Sequence, residues 1–134
     1  MEGLWYFQTV LPTLYKDIQE LYAGNVILGD LFLRDNQIDF EKVRRLDMQF
    51  HLTIVKSAHN HLLNQTLGTL QEIMFKSMDN TLKLPGRIDA SEHEHGVILY
   101  AIEKRDPIAA RLMCIQHIHN ARDAWFKYIK EQRY

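Results

Sequence analysis

Apolar residues recur at spacings of three and four along almost the whole chain, the period of helices with one buried face. Pro12 opens a stripe of Leu14, Ile18, Leu21 and Tyr22 that runs on through Ile27, Leu31 and Phe32 until Asp35-Asn36-Gln37 ends it. The first ten residues, with Trp5, Tyr6 and Phe7, fit either a short helix or an extended lead-in. Asp39 is an N-cap for a helix over about 40–57, with Glu41 in its first turn and Val43, Leu46, Phe50 and Ile54 as its stripe. Asn60 caps a helix over about 61–79, whose core side carries Leu63, Leu67, Leu70 and Met74. Residues 80–88 contain Pro85-Gly86 and read as a loop.

Two start signals follow. Ser91 with Glu94 three residues on has the form of a capping box and predicts a helix over about 92–104. Asp106-Pro107 places an N-cap aspartate before a proline at the first helical position, and the last helix runs to about residue 130. The expected fold is all-α, an antiparallel bundle of about six helices around a central cavity. Its 134 residues make a single domain, large enough to bury a core without staples.

Polar residues interrupt three of these stripes. Asp47 and His51, four apart, stack one turn above the other on the face of Val43, Phe50 and Ile54. His95 lies in line with Ile98, Leu99 and Ile102, and His117 shares a face with Ala110, Met113, Cys114, Ala121 and Ala124. His95 precedes Asp106 by as many residues, eleven, as His117 follows it. In an antiparallel hairpin both imidazoles then stand at one height, about 16 Å from the turn. The same mirror operation about Asn60 brings Thr69 and Glu72 level with His51 and Asp47.

Three imidazoles and one carboxylate converging in a bundle core make a site for a divalent transition metal, zinc first, with nickel, manganese or iron also suited. The rival reading of the same pattern is a set of hydrogen-bonded core histidines, with Asp47 and His51 paired to each other. His59 and His61 fall in a turn. His93 and His119 lie about 200° around their helices from His95 and His117, so neither shares a site with its neighbour.

Charge and cysteine content narrow the function. Sixteen basic residues nearly cancel seventeen acidic ones, a balance unlike that of a nucleic-acid surface. Cys114 is the single cysteine, which excludes an intrachain disulfide and a thiolate-rich metal site and points to a reducing cytoplasm. No apolar run approaches the roughly 20 residues of a membrane span, and the N-terminus lacks the form of a secretory signal.

Asp47-Met48-Gln49-Phe50-His51 with Asn60-His61-Leu62-Leu63 resembles the D-x-x-F-H … N-x-L-L segment of the FCD domain. That domain is the C-terminal, effector-binding part of the FadR subgroup of GntR transcription regulators. Glu94-His95 through Ala101-Ile102 resembles its E-H-x-x-I-x-x-A-I helix, and Asp106 through His117-Ile118 its D-x-x-A-A … H-I/L helix. The resemblance covers roughly residues 15–130. It implies one aspartate and three histidines as metal ligands, falling on Asp47, His51, His95 and His117.

The resemblance further implies a small carboxylate effector bound above the metal, a homodimer, and a winged-helix DNA-binding domain on which the effector acts. Nothing in this chain corresponds to such a winged helix, so no direct DNA binding is expected of it. Residues 1–20 also lack the family's R-x-x-L-E-like segment, whose arginine helps to hold acidic ligands. Thr69 and Glu72 are the candidates to line the ligand approach. The competing functions are a metal-dependent hydrolase or oxygenase, with Glu72 as its acid or base, and a structural helical partner protein. A di-iron bundle fits less well, because paired Glu-x-x-His motifs are absent.

Overall fold

The computed structural model describes residues 33–34 and 37–133. Among these are two short strands, β1 (Leu33–Arg34) and β2 (Gln37–Ile38), and four helices. The helices are α1 (Phe40–Ser57), α2 (His61–Leu82), α3 (Arg87–Glu103) and α4 (Pro107–Gln132). The helical stripe expected from Pro12 to Phe32, and the lead-in with Trp5, Tyr6 and Phe7, lie outside the described residues. The ladder pairs Leu33 with Ile38 and Arg34 with Gln37, antiparallel. Strands of two residues are too short for alternation to register in a sequence, which is why the pattern predicted none.

The described residues divide between Asp79 and Asn80 into two compact units. In the first, the Asp39 carboxylate accepts from Lys42 N–H at 3.2 Å and starts α1, and Asn60 Oδ1 accepts from Leu63 N–H at 3.0 Å and starts α2. Val43, Asp47, Met48 and Phe50 are buried along α1. Arg44 near the start of α1 pairs with Asp79 at 3.6 Å and lies over the Phe75 ring near the end of α2. The two helices therefore run antiparallel. The stripe assigned to the core side of α2 is only partly covered. Leu67 and Met74 are half-buried, whereas Leu63 and Leu70 are exposed, as is neighbouring Leu62 at 74%.

In the second unit α3 and α4 pack as an antiparallel hairpin. Asp106 caps α4 as expected, accepting from Ala109 N–H at 3.0 Å with Pro107 in the first turn. The chain enters this hairpin from α3, which ends in a left-handed residue, Arg105 (φ 55°). Arg105 N–H donates to Ile102 O and Asp106 N–H to Ala101 O, each at 3.0 Å, satisfying carbonyls that the helix end leaves open. Ile98, Leu99, Ala101 and Ile102 are buried. Each large aliphatic among them contributes roughly 1.5–3 kcal/mol by leaving water.

The start of α3 corrects the sequence reading. The helix begins at Arg87, five residues before the predicted start, so Ser91 and Glu94 are interior residues and form no capping box. Its N-cap is Gly86 in the left-handed region (φ 73°), a conformation that glycine adopts without steric cost, and no side chain caps it. Loop 80–88 shrinks accordingly to residues 83–86.

Candidate metal centre

His95 is 1% exposed, and a polar ring buried so completely needs partners. It finds one across the hairpin. His95 Nε2 and His117 Nε2 are 3.2 Å apart, and the rings meet edge to face. Equal residue counts on the two sides of Asp106 deliver this meeting, since each helix climbs by the same rise per residue. Ser91 Oγ lies 3.5 Å from His95 Nε2, one turn back on α3.

The other nitrogen of His117 is held as well. His117 Nδ1 lies 2.8 Å from Glu94 Oε2. Glu94 in turn accepts two parallel bonds of 2.8 Å from Arg87 Nη1 and Nη2, and one of 3.1 Å from Asn120 Nδ2. Burial alone would raise the Glu94 pKa, but hydrogen bonds from Arg87, His117 and Asn120 outweigh it and hold the group at about 2. The local spacing of Ser91 and Glu94 hides this network in the sequence, because it gives Glu94 the form of a capping residue. A signal was present: Arg87 and Glu94 are seven residues apart, two turns along one helix face, with opposite charge.

In the first unit, Asp47 is buried on α1 and His51 half-buried, with His51 Nε2 3.7 Å from Asp47 Oδ2. That separation is too long for a hydrogen bond between them. The Phe50 ring meets His51 edge-on at 5.3 Å between centroids. Thr69 and Glu72 are exposed on α2, and the Thr69 hydroxyl donates back to Gln65 O at 3.2 Å. His59, His61, His93 and His119 are exposed, in keeping with their positions in the pattern.

The donor set suits a metal. Two imidazole nitrogens bound to one ion at about 2.1 Å stand about 3.0 Å apart at a right angle and about 3.4 Å at the tetrahedral angle. The observed 3.2 Å falls between these limits. A carboxylate on the far nitrogen of a ligating histidine is the usual outer support of such centres. Cys114 offers no competing thiolate, since burial pushes its pKa up and keeps the thiol protonated.

The FCD domain model matches residues 27–120, more than half of the chain. The chain belongs to the FCD family. Two curated relatives of this FCD chain are the Glc operon transcriptional activators of Escherichia coli strain K12 and of Escherichia coli O6:H1. Each is 27% identical over 92 residues, covering 66% of this chain. The matched segment spans 36% of the relatives' own length. No solved structure matches significantly. Among the described residues of this FCD domain, no helix is long and apolar enough to cross a membrane.

Proposed function

We propose that this FCD chain is the effector-sensing domain of a GntR-type transcription regulator, working in the cytoplasm. In this reading it binds one divalent metal through Asp47, His51, His95 and His117, with zinc as the leading ion and nickel, manganese or iron as alternatives. The observation that carries it is the buried pair of facing Nε2 atoms, 3.2 Å apart, on His95 and His117. The Asp47/His51 pair on α1 supplies the other two ligands. The likeness to transcriptional activators supports a regulatory rather than an enzymatic role.

The effector is a small organic acid. A divalent ion partly neutralised by one aspartate leaves about one positive charge, which attracts a carboxylate. Bound metal would supply that charge together with coordination positions beyond the four protein ligands. Thr69 and Glu72, three residues apart on one face of α2, are assigned to the ligand approach. The domain acts as a homodimer, for which Trp125 and Tyr128, stacked at 5.5 Å between centroids, offer contact area. Effector binding changes DNA affinity through an associated winged-helix domain, and this chain alone makes no direct DNA contact.

Elemental analysis tests the centre: about one ion per wild-type chain, most of it lost in His95→Ala and in His117→Ala. Retention of full metal by both variants refutes the site. Calorimetry with hydroxy acids, sugar acids and dicarboxylates, with and without chelator, tests the effector. Equal binding in chelator refutes metal-dependent recognition.

A further inference from the structure

The hairpin of α3 and α4 holds a half-buried charged group outside the proposed ligand set. Glu94 has both carboxylate oxygens committed as acceptors: Oε1 to Arg87 Nη1 and Asn120 Nδ2, Oε2 to Arg87 Nη2. Ionised in its two-bond pairing with the Arg87 guanidinium, the Glu94 carboxylate is acceptor-only and has no proton to offer His117. In the 2.8 Å contact between Oε2 and His117 Nδ1 the imidazole is therefore the donor, and this short contact outweighs the one from Arg87 Nη2, which stands 3.5 Å from the same nitrogen. A neutral imidazole protonated at Nδ1 carries its lone pair on Nε2, the atom that faces His95.

We propose that Glu94 is the positioning residue of the metal centre, fixing His117 as its Nδ1–H tautomer with Nε2 directed at the ion, while Arg87 and Asn120 lock the carboxylate in place. The assignment rests on the metal reading above, but its geometry lies wholly within one helical hairpin. Glu94 acts across that hairpin. It sits beside His95 on α3 and serves the histidine of α4, so one helical turn carries a ligand and the orienting group of another.

Glu94→Gln is nearly isosteric and separates this role from simple packing. The amide keeps one acceptor oxygen, for which Arg87 competes, and turns its NH₂ toward His117 Nδ1. That nitrogen must then accept, and the ring proton moves to Nε2, the ligating atom. Two measurements on the full chain follow. Long-range proton–nitrogen correlation spectra of histidine-labelled, chelator-treated protein should show His117 protonated at Nδ1 in wild type and at Nε2 in Glu94→Gln. Zinc competition against a chelator should show roughly ten- to a hundredfold weaker binding in Glu94→Gln.

Wild-type protein with His117 protonated at Nε2 overturns the proposal, and this arm needs no variant to fold. Wild-type zinc affinity in Glu94→Gln also overturns it. Wild-type protein that takes up no zinc refutes the metal reading instead, an outcome separate from both.

Discussion

Arg87→Met removes the guanidinium and keeps most of the aliphatic stem. In the native hairpin the Arg87 side chain is 6% exposed and binds Glu94 through two bonds of 2.8 Å, and the carboxylate is itself only 14% exposed. Without Arg87 the carboxylate keeps His117 and Asn120 as donors and loses its only full countercharge within the network. Removing one member of a buried pair costs about 3–5 kcal/mol, and two surviving donors reduce this to about 2–3 kcal/mol here. For a chain of this length the loss lowers the thermal midpoint by roughly 6–15 °C. Urea unfolding followed by helical circular dichroism, in chelator, measures it without any contribution from metal. The double variant Arg87→Met/Glu94→Gln should be more stable than Arg87→Met alone, because no lone charge is then left buried. A change below about 0.5 kcal/mol in Arg87→Met, or strict additivity of the two substitutions, would refute the argument that this pair organises the hairpin.

Three further outcomes can be checked. The folded Glu94 carboxyl, at about 2, lies below its ordinary 4.5, so its stabilising contribution is complete above pH 4.5 and is lost as the pH falls toward 2. Acid titration of chelated wild type should show unfolding develop within that window, and Glu94→Gln should flatten the slope there. Arg105→Gly relieves a left-handed conformation that costs an L-residue about 1 kcal/mol, and should raise the urea midpoint. Asp106→Ala removes the cap on Ala109 N–H and should cost about 1 kcal/mol in the same assay.

What the sequence disclosed follows how local the governing chemistry is. Asp39, Asn60 and Asp106 were legible as caps because each accepts from the N–H three residues on, whatever the remainder of the chain does. The His95–His117 meeting was legible because it needs only a residue count on each side of one turn. Ser91 and Glu94 misled for the same reason. Their spacing satisfies a local rule, yet Glu94 is held by Arg87 two turns back and by His117 and Asn120 on the next helix. The apolar period of α2 named a face and not what covers it, and Leu63 and Leu70 stand exposed where burial was expected. Asp47 and His51 were legible as a pair for a local reason too, since a spacing of four puts both on one face of α1.

The His95–His117 contact also makes the hairpin a gauge with whole-number markings. Chemical substitution along α3 and α4 can be graded, a methyl group at a time, but length cannot. One residue inserted between His95 and the turn rotates that imidazole by about 100° and lifts it by about 1.5 Å, enough to carry it off the shared face. Three or four residues restore the direction but misplace the height by about one helical turn. Only a matched insertion on both arms that is also close to a whole number of turns, about seven residues each, restores both. Tolerance to mutation in this hairpin should therefore be broad for side chains on its outer faces and close to nil for chain length, a contrast that a deletion scan would reveal more sharply than any alanine scan.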